Sequence, residues 1–210
     1  AVLAVVPLLV ACGAQPPRVD QEGSPPPAAA KPAPQKPPQY TLKRGGGFYQ
    51  DDGPGDSIPG NLDAVPDAEP RAEPLHRFAN NPYSVLGRDY VPAKELKPYR
   101  ARGVASWYGR KFHGQKTSSG EIYDMFAMTA AHPILPLPSY VRVTNVRTGR
   151  SVIVRVNDRG PFKHDRVIDL SYAAATKLGI ASAGTGEVEV ERITMAQIAS
   201  GEYRRCVSGV

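Results

Sequence analysis

Four groups of polar residues in the C-terminal half of this 210-residue chain carry side chains suited to acid–base chemistry. The first is Thr117-Ser118-Ser119-Gly120-Glu121-Ile122-Tyr123-Asp124, where hydroxyls accompany carboxylates three residues apart. The second is His132, set just past an apolar run and fixed by Pro133. The third is Asn157-Asp158-Arg159-Gly160-Pro161-Phe162, where a strand-like run breaks into a Gly-Pro turn with Asp158 at its lip. The fourth is Asp169 between Ile168 and Leu170, on a strand face shared with Val167 and Ser171. Each has a bland counterpart. Asp158 suits a turn, Asp169 the electrostatic capping of a helix, Glu121 a solvated surface and His132 a structural role. Together they suggest more, because two carboxylates with separated pKa values are the usual machinery of glycosidic cleavage.

The elements that must position these groups are short. Val104 to Tyr108 is expected to be a strand ending at Gly109, and Phe126 to Ala131 a second one stopped by His132-Pro133. Val141 and Val143 alternate with polar residues, as do Val152, Val154 and Val156 with Ile153 and Arg155. The two runs flank Arg147-Thr148-Gly149-Arg150, a hairpin signature. Arg166 to Leu170 predicts another strand. Ser171 then caps a helix over Tyr172 to Leu178, closed by Gly179. Glu187 to Ile193 completes the set. Six strands and one helix in about 90 residues predict a mainly-β fold, a small closed barrel rather than a doubly wound sheet.

Composition divides the rest. Of 22 prolines, 18 precede residue 100, while residues 101–210 hold 15 Lys/Arg against 9 Asp/Glu and so account for the whole net charge of +6. That distribution excludes one continuous globule, a collagen-like repeat and a multi-span membrane protein. Residues 1–11 (AVLAVVPLLVA) form an apolar run suited to part of a signal peptide. Leu9-Val10-Ala11-Cys12 resembles a bacterial lipobox, with Cys12 as the lipidated residue. Gly13 is not the Asp of inner-membrane retention, so an outer-membrane anchor is expected. The Pro/Gly-rich stretch 12–75 is expected to be a tether, 76–102 a strap with a short hairpin near Pro82 to Pro92, 103–194 the barrel and 195–210 a tail. With Cys12 acylated, Cys206 is a lone thiol. His76, His113, His132 and His164 lie too far apart in the chain for zinc-ligand spacing, and neither metal nor cofactor is expected. Basic residues scattered singly argue against nucleic acid as a partner.

Dense, ordered motifs carry a resemblance. They are Gly103-Val104-Ala105-Ser106-Trp107-Tyr108-Gly109, Phe112-His113-Gly114, Thr117 to Met125, Ala130-Ala131-His132 and Leu135-Pro136-Leu137-Pro138-Ser139. Val141 to Asn145, Val154 to Phe162 and Ile168-Asp169-Leu170-Ser171 complete them. Over about residues 82–193 the chain resembles the rare lipoprotein A family of bacterial envelope proteins. The resemblance implies a six-stranded double-psi β-barrel and a lytic transglycosylase. Such an enzyme cleaves the bond between N-acetylmuramic acid and N-acetylglucosamine in peptidoglycan, often in strands stripped of stem peptides, and leaves 1,6-anhydro ends. It implies Asp158 as the leading acid/base, Glu121 and Asp124 as second carboxylate and proton relay, His132 as their orienting group and Asp169 nearby. Trp107 and Tyr108 are expected to stack on sugar, although Trp107 suits the core equally well. Ser106, Thr117 and Ser119 are expected to bond sugar hydroxyls, and Arg159 a lactyl carboxylate. The expected partners are glycan strands and a membrane reached through Cys12, with the chain a monomer. An expansin-like wall binder without catalysis is the competing reading. Many members carry a further C-terminal domain of the sporulation-related type; the residues up to Val210 include none, which leaves septal targeting outside what the resemblance implies.

Overall fold

The computed structural model describes residues 52–54, 58–163 and 165–207, so Cys12 and His164 lie outside the described residues. Two short strands, β1 (Tyr83–Val85) and β2 (Arg88–Tyr90), form the expected hairpin. Its turn is Leu86-Gly87, and both residues have positive φ (52° and 73°), as a two-residue turn of the type that matches strand twist requires. Six further strands follow: β3 (Arg100–Tyr108), β4 (Thr129–Ala131), β5 (Ser139–Asn145), β6 (Ser151–Asp158), β7 (Arg166–Ser171) and β8 (Thr185–Arg192). They close into a barrel in the order β3-β7-β4-β6-β5-β8. Two pairs, β3–β7 and β4–β6, are parallel, and the other contacts are antiparallel. This is the closed six-stranded mixed barrel that the resemblance implied.

Alternation drives the closure. Val141, Val143, Val154, Val156, Val188 and Val190 are fully buried inward residues from three strands, and Val152 is nearly so. Each contributes roughly 2 kcal/mol by leaving water. The β5–β6 hairpin sets Val141 against Val154 and Val143 against Val152. Its turn is held by Asn145, whose Oδ1 accepts the amides of Arg147 and Thr148, and by Gly149 at φ 71°. Helix α1 (Tyr172–Leu178) has the expected bounds: Ser171 Oγ accepts the Ala174 amide, and Gly179 ends the helix at φ 77°. Ala173, Ala174 and Ala175 are all fully buried, and their small side chains let the helix lie flush on the barrel. A second helix, α2 (Met195–Ser200), opens with a capping box between Thr194 and Gln197, and a 3-10 segment, Glu202–Val207, follows it.

Two elements differ from expectation. Strand β4 is three residues long, not six, because Asp124 Oδ1 accepts the Phe126 amide and holds residues 124–128 in turns. The stretch expected as tether up to residue 75 lies on the barrel from residue 58 onward. Leu62 enters the core from a 3-10 turn, Leu62–Ala64. Short β4 leaves β6 partly unpaired on that side, and residues 67–73 of the expected tether take up open groups there. Ile153 donates to Asp67 Oδ2 at 2.9 Å, and its carbonyl accepts the Ala68 amide at 3.0 Å. Glu73 receives two guanidinium bonds from Arg155 at 2.9 Å and a hydroxyl bond from Tyr140. Asn80 bonds both the amide and the carbonyl of Leu137. Among the described residues no helix is long and apolar enough to cross a membrane.

The Arg155 hydrogen bonds hold the Glu73 carboxyl at about 2, against an ordinary 4.5. A depressed folded-state pKa contributes stability above the unfolded value, and this is lost as pH falls toward 2. Glu73→Gln is therefore expected to lower unfolding stability by about 2 kcal/mol at pH 7. The gap from wild type should close between pH 5 and pH 2 in thermal melts.

Candidate active site

Strand register gathers the acidic residues. Ser106 on β3 pairs with Asp169 on β7, Asp169 with Ala131 on β4, and Ala131 with Asp158 on β6. Residues in register on neighbouring strands share a face, so Ser106, Asp169, Ala131 and Asp158 form one row across four strands. The backbones of Asp169 and Asp158 are two strand spacings apart, about 10 Å. Ala131, with its small side chain, is the register position between them. The Gly160 turn closes over the row: a Cβ there would sit 3.9 Å from Asp169 Oδ2 and 3.8 Å from Ala131 Cβ.

The two carboxyls have different surroundings. Asp169 Oδ1 accepts the Ser106 hydroxyl, which in turn receives Arg166 Nη1 at 2.7 Å. Burial pushes the Asp169 carboxyl above the ordinary range, and the negative charges of Asp52 and Asp158 add to that. The Ser106 bond and the Arg166 charge, 4.0 Å away, only partly oppose the rise. Asp158 concentrates its bonds on Oδ1, which accepts Ser118 N at 2.8 Å, Ser118 Oγ at 2.6 Å and Arg159 N at 2.7 Å. Its Oδ2 accepts none among the described residues.

A groove of about 380 Å³ opens above Asp169. Trp107, Tyr108, Phe112 and Phe162 supply aromatic walls, Lys111, Lys163 and Arg166 supply positive charge, and Asp52 closes one side. Trp107 has both roles weighed for it: it lines the groove, yet it also packs on Tyr172 at 5.0 Å and donates Nε1 to the Ala181 carbonyl. Tyr108 is buried and stacks on Tyr123 at 4.0 Å. Burial, with the charges of Asp158 and Asp169 behind it, raises its phenol well above the ordinary value. The hydroxyl therefore stays protonated.

Other expected residues lie elsewhere. Glu121 sits on the outer side of β6, bonded by Arg155 Nη1 at 2.8 and 2.9 Å and by Asn157 Nδ2 at 2.9 Å. Burial would raise its carboxyl, but the Asn157 and Arg155 bonds outweigh that and lower it. This leaves Glu121 an ion-paired carboxylate. Asp124 is exposed and bonds its own turn. His132 points into the protein: its Nδ1 accepts the amides of Ile134 and Leu135, and its Nε2 meets Tyr99 Oη at 3.1 Å. Burial, helped by the Arg159 charge, pushes it down to about 3, so the ring is neutral and braces a loop rather than orienting carboxylates. Arg159 likewise turns inward. Its guanidinium reaches the carbonyls of Ala79, His132 and Leu135 and Oδ1 of Asn80, which leaves it no face for a lactyl carboxylate. Thr117 is buried and bonded to Ser119 at 3.0 Å, so both hydroxyls tie their own loop.

Sequence reasoning missed Arg166, Phe162, Phe112, Lys111 and Asp52. Arg166 had a signal, three residues before Asp169 on the same strand. Asp52 had none, since its neighbourhood is as Pro- and Gly-rich as the tether. Among the described residues no group of three or more His, Cys, Asp or Glu side chains is arranged to hold a metal ion.

Residues 100–190 match the domain family described as "Lytic transglycolase". Over 137 residues the chain is 59% identical to the "Endolytic peptidoglycan transglycosylase RlpA" of Pseudomonas aeruginosa, covering 65% of this chain and 40% of that one. The protein of the same name from Vibrio cholerae is 50% identical over 151 residues, 72% of this chain and 57% of that one. The Neisseria meningitidis serogroup A protein of that name is 57% identical over 136 residues, with 65% and 57% covered. The chain thus spans about half the length of these relatives.

A carboxyl whose folded pKa is raised costs stability once pH passes its unfolded value, because the unfolded chain ionises more readily. Asp169→Asn, which keeps an acceptor for Ser106, is accordingly expected to melt at a higher temperature than wild type at pH 7. The advantage should shrink as pH falls through and below about 4, where the unfolded wild-type carboxyl becomes protonated as well.

Proposed function

We propose, from the premise that this chain belongs to the rare lipoprotein A family, that its barrel is a lytic transglycosylase acting on peptidoglycan glycan strands. The observation that carries the proposal is the row Asp169–Ala131–Asp158, whose Asp169 end lines the groove, with one carboxyl biased toward its acid form and a second presenting an unengaged oxygen.

Asp169 is the general acid. Burial holds its proton toward neutral pH, and that proton passes to the glycosidic oxygen as the C1–O bond breaks. Asp158 is the general base. Ser118 fixes Oδ1, and Oδ2 takes the proton of the muramic 6-hydroxyl as that oxygen closes onto C1. The anionic Asp158 also stabilises positive charge developing at C1. Each turnover leaves Asp169 ionised and Asp158 protonated, and proton exchange with solvent resets both. The aromatic walls fit the apolar faces of sugar rings, and the basic rim fits lactyl carboxylates.

A wall-acting enzyme works in the bacterial cell envelope. Lipid attachment at Cys12 and an outer-membrane position complete the proposal, supported by Leu9-Val10-Ala11-Cys12 and Gly13 and by the Pro-rich run after them.

Incubation with amidase-treated sacculi tests the assignment, with mass spectrometry of the released products. Wild type should release 1,6-anhydro ends. Asp169→Asn and Asp158→Asn should each slow release by about 100-fold or more, and Glu121→Gln by less than about tenfold. A wild-type protein that retains strands without anhydro products would instead be the expansin-like binder.

A further inference from the structure

Part of the groove wall comes from residues far outside the barrel in the chain. Asp52 places one carboxylate oxygen on each of two backbone amides: Oδ2 accepts Gly109 N at 3.0 Å, and Oδ1 accepts Lys111 N at 2.8 Å. The Gly53 carbonyl accepts Arg110 N at 3.3 Å. Three successive amides at the exit of β3 are therefore satisfied by Asp52-Gly53, and the turn they belong to carries Lys111 and Phe112 into the groove. The fit is close. A Cβ on Gly109 would meet the carbonyls of Asp52 and Gly53 at 2.8 and 3.0 Å and Trp107 Cζ3 at 2.9 Å.

We infer that Asp52 is a positioning residue of this site, holding the Gly109–Phe112 turn in the shape that presents Lys111 and Phe112 to a glycan strand beside Asp169. The inference rests on the transglycosylase reading for its substrate. It assigns to the region before the barrel a part in substrate binding as well as any part in tethering. Asp52 has a second effect through space. Its negative charge joins that of Asp158 in favouring the protonated form of Asp169, against Arg166 and the Ser106 bond, while Lys111 and Lys163 supply the remaining charges lining the groove.

The test compares full-length wild type, Asp52→Ala and Asp52→Asn, measuring release of anhydro ends from amidase-treated glycan strands and retention of the same strands in a pull-down. Asp52→Ala is expected to raise KM and weaken retention by about tenfold, with kcat changed less than about threefold when measured below the basic limb of the pH–rate profile. Asp52→Asn keeps one acceptor oxygen and loses the charge, so the basic limb of its pH–rate profile should move to lower pH. If Asp52→Ala does not fold, Gly109→Ala, which forces the segment off, carries the same comparison. KM and retention within twofold of wild type, in a folded variant, overturn the inference. Wild type that binds strands but releases no anhydro ends overturns the transglycosylase reading alone, and retention still decides the role of Asp52. Wild type that does neither overturns both.

Discussion

Burial beside another negative group pushes a carboxyl up, and this barrel arranges both for Asp169 through strand register. Asp169 and Asp158 lie on β7 and β6, which never pair with each other; β4 lies between them and contributes Ala131 to the row. A one-residue slip of β7 or β6 would turn a carboxyl to the opposite face, because side chains alternate along a strand. The register is fixed by the inward valines and by the Asn145 turn, so apolar packing far from the groove sets the spacing of the two acids.

Arginine has much of the work of holding the rest in place. Arg155 joins Glu73 of the segment before the barrel to the Thr117–Glu121 loop through Glu121, and that loop supplies the Ser118 bonds to Asp158. Arg159 gathers carbonyls from the Ala79 region and from the loop after β4. Arg192 reaches the carbonyls of Leu96 and Lys97. Planar, multi-donor guanidinium groups suit such sites, since one side chain satisfies several acceptors at once. Much of the positive excess in the C-terminal half is therefore internal scaffolding. The charge left at the groove comes from Lys111, Lys163 and Arg166.

The segment before the barrel shows why composition misleads at its edges. Residues 58–75 are rich in Pro and charge, yet they dock by one backbone hydrogen bond to β6, from Ala68 to Ile153, and by a few side chains, Leu62, Asp67 and Glu73. Such docking needs an open strand edge, and the edge exists because β4 is only three residues long. Neither the shortness of β4 nor the gap it leaves is written in residues 58–75 themselves.

The sequence by itself determined what is local. Valine alternation set the inward faces of β5, β6 and β8, Ser171 and Gly179 bounded α1, and Leu86-Gly87 made the hairpin turn, because each depends on neighbours within a few residues. Motif order also carried the resemblance to the rare lipoprotein A family. Tertiary structure alone decided which polar residues meet. It turned His132 and Arg159 inward, paired Glu121 with Arg155 on the outer face, and brought Asp169 and Asp52 to one groove. The reason is geometric: a side chain's charge state and partners depend on strands that pair across the barrel, and that pairing follows no interval along the chain.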